Sequence, residues 1–179
     1  MFLFIGKHQN YNLIMITISE ATVADFETIR EIAHTTWPVT YGEILSKAQL
    51  DYMLEKMYSD ATLIDNVANK GHHFILANED AVCLGFASYE HRYLGRNITR
   101  IHKIYLLPEF QGKGMGKLLL DSVSALAKEN QSEVISLNVN KFNKTVSFYK
   151  KMGFEVVAEE DLEIGNGYLM EDYKMEKKV

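Results

Sequence analysis

The chain has 179 residues, 47% of them hydrophobic and 24% charged, a composition suited to one soluble globular domain with a sizeable core. Its 24 acidic residues against 19 lysines and arginines leave a formal charge of −5, the wrong balance for nucleic acid, where clustered cations must displace counterions from phosphates. The single cysteine, Cys83, excludes an internal disulfide and a multi-cysteine zinc site, and no stretch reaches the ~20 apolar residues of a membrane span.

The opening MFLFIGKHQNYNLIM has no basic leader and its apolar run breaks after Ile5, against a secretory signal and in favour of a cytoplasmic protein. Met15 directly precedes the first alternating run, so residues 1–14 read as an N-terminal extension outside the core and 15–179 as a single domain. MITISEA begins a strand. Thr22 and Asp25 make a capping-box-like start, and Val23, Phe26, Ile29 and Ala33 then share one helical face. Trp37-Pro38 predicts the end of that helix, because a residue before proline is pushed out of the α region. Ser46 and Gln49 form a second capping box, followed by the stripe Leu50, Met53, Leu54, Met57. Asp60 is the expected cap of a third short helix that stops at Gly71.

Two strands, HHFILA and AVCLGFASYE, follow around NED as a hairpin, with Cys83 a small buried residue in the second. A further strand covers about 98–107, and after it comes the loop PEFQGKGMGK. A helix to about Asn130, the strand VISLNV, a helix over about 143–152 and a strand from Phe154 complete the run. Asn166-Gly167 then marks a tight turn between two final strands. The order predicts a mixed α/β sheet.

The loop places Gly112, Gly114 and Gly116 between a strand and a helix. Backbone N–H groups at a helix start converge with the positive end of its dipole, and glycines leave them open to a phosphate or pyrophosphate. Lys113 and Lys117 add positive charge. A glycine-rich turn without a ligand is the other reading of the loop taken alone. A Walker A loop fails because Lys117 is followed by Leu118 and not Ser or Thr. The dinucleotide fingerprint fails because the third glycine comes one residue early and no acid ends VISLNV.

What remains, Gln111-x-x-Gly114-x-Gly116 after a strand, resembles the signature of the GNAT superfamily of acyl-coenzyme A-dependent N-acyltransferases. Downstream, Asn143, Phe148, Tyr149, Gly153 and Phe154 in NVNKFNKTVSFYKKMGF match that family's second landmark, and the match runs from about Arg100 to Phe154. The resemblance implies the GNAT fold: a six- to seven-stranded, mostly antiparallel sheet flanked by helices and splayed at its central parallel strands. It implies acetyl-CoA as co-substrate, no metal, an amine acceptor, and leaves room for a homodimer.

Residue by residue, the resemblance assigns coenzyme A to the loop Gln111, Gly112, Lys113, Gly114, Met115, Gly116 and Lys117. The backbone of Ile104, Tyr105 and Leu106 would pair with the pantetheine like an added strand, with Asn138 and Asn143 beside it. Tyr149, protonated at neutral pH with a reference pKa of ~10, becomes the general acid at the coenzyme sulfur. Many relatives carry a glutamate base on the strand entering the loop, where this chain has Arg100. Period-two alternation puts Arg100, His102 and Ile104 on one face, so His102 is the candidate proton relay, an ordinary half-buried histidine being the other reading. Glu90, His91 and a water chain stand behind it.

The resemblance also assigns acceptor choice to the first two helices, here with Trp37, Tyr41 and Glu43, and to the late hairpin, whose carboxylates Glu159, Glu160, Asp161, Glu163, Glu171 and Asp172 would favour a cationic amine or simply form a solvated rim. TTWPVTYGEILS, FYKKMGF and the acidic tail are similar to bacterial spermidine/spermine N-acetyltransferases, with peptide amines, aminoglycosides and small metabolites also open. The leading expectation is therefore an acetyl-CoA:amine N-acetyltransferase. Its alternatives are a non-catalytic acyl-CoA sensor of the same fold and a phosphate-sensing nucleotide binder.

Overall fold

In the computed structural model, which describes residues 2–6 and 14–179, the capping residues act where the sequence puts them. The Asp25 carboxylate accepts from the Thr22 N–H at 2.7 Å and from its hydroxyl at 3.0 Å. A short 3-10 turn follows and leads into α1 (Phe26–Tyr41). Ser46 caps α2 (Lys47–Tyr58) by accepting from the Gln49 N–H at 3.2 Å. The Gln49 side chain does not close the box but donates to the Leu169 carbonyl at 3.0 Å. The cap of α3 (Asp60–Ala68) is Ser59, one residue before the expected Asp60.

The first helix does not stop at Trp37. It runs through Pro38 to Tyr41, although an interior proline removes one intrahelical hydrogen bond and crowds the carbonyl four residues back, at a cost of ~3 kcal/mol. Packing of the last turn offsets that cost. Trp37 and Tyr41 are 3% and 9% exposed and lie with ring centroids 5.0 Å apart, and Trp37 also packs on Tyr58 and Tyr105.

Strands β1 (Phe2–Gly6), β2 (Ile14–Glu20), β3 (His72–Glu79), β4 (Val82–Glu90), β5 (Ile98–Leu106), β6 (Val134–Asn140), β7 (Glu155–Gly165) and β8 (Tyr168–Lys178) form one sheet in the order β1-β2-β3-β4-β5-β6-β8-β7. Strands β2 to β8 are the expected mixed sheet, and β1 pairs antiparallel along β2. Residues 1 and 7–13 of the expected extension lie outside the described residues. Asn166 (φ 56°) and Gly167 (φ 76°) make the tight turn between β7 and β8; positive φ at both central positions matches the twist of a two-residue hairpin.

Helix α4 (Met115–Glu129) covers one face of the sheet and α1 to α3 the other, so β3 and β4 are buried on both sides. Phe74, Leu76 and Phe86 meet α1–α3, while Ile75, Ala77 and Ala87 belong to the α4 side. The short α5 (Val146–Lys151) begins three residues later than expected. No helix among the described residues is long and apolar enough to cross a membrane.

The parallel pair β5–β6 shapes the site. Its register covers only Ile98–Ile101 against Val134–Leu137, yet β5 runs on to Leu106 and β6 to Asn140. Beyond Ile101 the two strands part, each paired only with its outer neighbour, β4 or β8.

Candidate active site

The glycine loop follows the end of β5. A 3-10 turn over Pro108–Phe110 carries the chain to Gly112 (φ 73°) and Gly114 (φ 86°), a left-handed backbone that side chains with a Cβ disfavour. A Cβ on either glycine would meet no heavy atom within 4 Å, so the space above the loop is open. The first N–H of α4 to find a backbone acceptor is that of Leu118, bonded to the Gly114 carbonyl at 3.0 Å. Among the described residues the amides of Gly112 to Lys117 have no such partner. A run of unbound amides at the start of a 15-residue helix is a cradle for an anion. The Gln111 side chain donates to the Leu106 carbonyl at 3.1 Å, tying the loop to the strand. Lys117 is paired with Asp121, and Lys113 lies over the Phe110 ring. Met115 packs against the core on the α4 side.

From this cradle a cleft of about 680 Å³ runs into the gap between β5 and β6. One wall is Ile104, Tyr105 and Leu106, whose β4-paired edge faces away from the gap. Asn138, Asn143 and Tyr149 form the other. Asn143 is buried and its Oδ1 accepts from the Thr145 N–H and hydroxyl, both at 2.8 Å, which ties down the turn leading into α5. Tyr149 stands on α5 against Phe148 and Phe154. Burial first, and the Tyr41 phenol second, hold its hydroxyl well above the ordinary phenol range, so it stays protonated at all physiological pH.

A second cavity of about 270 Å³ opens on the α1–α2 side and shares Tyr41, His102, Tyr105 and Asn138 with the cleft. Trp37 and Tyr41 line it as expected, with the Tyr41 hydroxyl 3.2 Å from that of Tyr105. Glu43 does not reach it; it lies at the mouth of the main cleft, exposed and 3.7 Å from Lys144. Of the late-hairpin carboxylates, Asp172 lines the cavity and Glu160 accepts from Asn138 Nδ2 at 3.1 Å. Glu159, Asp161 and Glu171 instead gather around Lys141 at 3.4–3.6 Å.

Strand β5 departs from simple alternation. Ser88 pairs with Lys103 and Tyr89 with Ile101, so His102 is an extra residue, a β-bulge. The bulge separates residues expected together: Ile104 packs toward α4, whereas Arg100, His102, Lys103 and Tyr105 line the cavity on the opposite side. Arg100 and Lys103 were not expected as cavity walls; their signal, two basic residues either side of a histidine, becomes legible only once the bulge is known.

His102 Nε2 lies 3.0 Å from Glu90 Oε2, and its ring stacks on His72 with centroids 3.9 Å apart and planes 12° from parallel. Burial first, then His72, Lys103 and Arg100, push the His102 imidazole far below its ordinary range, so it is neutral at pH 7 despite the nearby Glu90. Burial raises the Glu90 carboxyl. His91 is committed elsewhere, with Nδ1 2.8 Å from the Thr99 hydroxyl. His72, Glu90 and His102 bring metal-type donor atoms within 4.8 Å of one another. A metal binds near the plane of each imidazole, and the two ring planes, 12° from parallel, meet only well beyond bonding distance. The cluster is a stacked, hydrogen-bonded pair rather than a formed metal centre. Cys83 is half-buried, not fully buried, with its thiol 3.5 Å from the Gly85 carbonyl.

Comparison with known proteins agrees with this geometry. The Acetyltransferase (GNAT) domain family matches residues 43–177. The chain is 29% identical over 161 residues to the spermidine N(1)-acetyltransferase of Thermoplasma acidophilum, covering 87% of this chain and 96% of that one. It is 27% identical over 92 residues to the L-amino acid N-acyltransferase MnaT of Escherichia coli, across 50% of this chain and 54% of the relative. The crystal structure of PaiA N-acetyltransferase from T. acidophilum in complex with coenzyme A superposes with a TM-score of 0.77 at 29% identity, covering 92% and 99% of the two chains.

Proposed function

The chain belongs to the GNAT acetyltransferase family and is an N-acetyltransferase, and from that premise we propose that it moves the acetyl group of acetyl-CoA directly to a primary amine of a small molecule or peptide. The observation that carries this reading is the line of unbound amides at Gly112–Lys117 opening into a cleft that ends beside Tyr149. The amides and the dipole of α4 hold the diphosphate. The free edge of β5 from Ile104 to Leu106 takes the pantetheine as an extra strand, with an N–H of that edge donating to the thioester carbonyl.

An alkylamine with a pKa of ~10.4 is neutral in only about one molecule in 2,500 at pH 7, so a proton must leave before attack. His102, neutral and on the junction of the two cavities, relays it in one concerted step: as its ring accepts the amine proton its Nε2 proton passes to Glu90 at 3.0 Å, so the poorly basic imidazole never has to hold both. The N–C bond forms, the C–S bond breaks and the thiolate takes the Tyr149 proton; the remaining extra proton on the newly acylated nitrogen, now strongly acidic, then returns to the Tyr149 phenolate. A buried phenol is a weak acid, but the same burial raises the thiolate's affinity for a proton. The name of the T. acidophilum relative makes spermidine an obvious acceptor to test; Arg100 and Lys103 on the cavity wall weigh against it.

The test is thiol release from acetyl-CoA across a panel of polyamines, amino acids and peptide N-termini, run with wild type and Tyr149→Phe. Wild type should turn over at least one amine, and the variant should lose about tenfold or more in kcat, a general acid being worth ~10²–10⁴, while binding coenzyme A as before. A non-catalytic acyl-CoA sensor would bind coenzyme A and release no thiol with any amine.

A further inference from the structure

Two cations face the smaller cavity with no carboxylate among the described residues within ion-pair distance of either. Arg100 Nε is buried with no hydrogen-bond partner, and the guanidinium carbon lies 5.4 Å from the centroid of the Tyr93 ring. Lys103 Nζ lies 5.4 Å from the Tyr58 ring centroid and joins no ion pair among the described residues. Burial lowers the Lys103 ammonium to about 8, which leaves it charged at neutral pH. Both are half-buried cations; Glu160, Asp172 and Glu176 act on Arg100 only from beyond ion-pair distance, and a ligand anion in the cavity can contact both directly. The opposite wall has the reverse character. Asp172 Oδ1 and Asn138 Oδ1 are buried acceptors with no donor. Between the two walls the lining is mixed, with the apolar Met53, Met57, Leu162 and Met170 beside His102, Asn140 and the tyrosines.

We propose that this cavity is the acceptor subsite for an amine that also bears a carboxylate: an apolar α-amino acid whose carboxylate is held by Arg100 and Lys103 while its amino group faces Asp172 and Asn138. The proposal rests on the acetyl-transfer reading above and narrows it. A polyamine brings positive charge only, so it would meet Arg100 and Lys103 with repulsion and leave both unpaired. An amine of the same skeleton without the carboxylate would fill the apolar part and satisfy neither cation.

L-leucine, 3-methylbutylamine (leucine without its carboxylate) and spermidine, each with saturating acetyl-CoA and thiol release as the readout, separate these cases. L-leucine should exceed both others in kcat/KM by about 10- to 100-fold, the range expected for a hydrogen bond to a charged group. Arg100→Gln and Lys103→Met should each raise the KM for leucine about tenfold and should lower, not raise, the KM for 3-methylbutylamine, a cation that each substitution relieves of a like charge. Undiminished calorimetric binding of coenzyme A by both variants would show that the fold survives. Equal or faster acetylation of 3-methylbutylamine or spermidine overturns the subsite and leaves acetyl transfer standing. So does an unchanged leucine KM in both variants. No thiol release with any amine overturns acetyl transfer itself, and the subsite with it.

Discussion

Asp172 is 7% exposed, and burial lifts its carboxyl to about 6 against the pull of Arg100, with Glu160 adding to the rise. A carboxyl whose folded pKa exceeds its unfolded value of ~3.9 favours the folded state fully only when protonated, and that advantage is lost as pH climbs through about 6. Asp172→Asn should therefore raise stability at pH 8 by about 2–3 kcal/mol, at 1.36 kcal/mol per pKa unit, with the gain fading as pH falls toward 4. Thermal unfolding of both proteins across that range measures it. Single residues also show where sequence reading stopped. Tyr149, Asn143 and the three loop glycines, all of which line the cleft or its cradle, were singled out by resemblance to family motifs that are local in sequence. Asp172 was one of six acids in the late hairpin, and only the β7–β8 and β6–β8 registers, which place it opposite Glu160 and Asn140, single it out. Lys103 carried no signal until its strand acquired a bulge.

Among the elements, the loop entering α4 most directly couples backbone shape to binding. Gly114→Ala should cost about 1–2 kcal/mol of stability, the strain of a Cβ in a left-handed conformation, since nothing crowds the new methyl. The same methyl would stand in the anion's approach, so coenzyme A affinity measured by calorimetry should fall by more than the stability loss explains. Most element boundaries were readable from periodicity and caps, but α1 was not. A proline step predicts a break on local grounds, and the contacts that carry the helix on to Tyr41 come from α2 and β5, 21 residues or more away in sequence. The His102 bulge belongs to the same class. Strand pairing with β4 creates it, and alternation within β5 alone cannot reveal it.

At the scale of the molecule, one side of the sheet contributes the loop strand β5 and the other the wall β6 with its hairpin partners, and the co-substrate cleft lies between them. Coenzyme A at a hundredfold excess over its Kd should stabilise the protein by about 2.7 kcal/mol. ATP, which carries phosphates but no pantetheine to enter the gap, should give a clearly smaller thermal shift; an equal shift would favour a nucleotide sensor. The parting of β5 from β6 after Ile101 bears on what such an experiment would feel. Two half-sheets joined by a seam four residues long behave like the covers of a book on a short spine. A ligand threaded between them binds the covers together, so slower deuterium uptake at the spine, Val134–Leu137, would report occupancy of a groove that opens some distance from those amides.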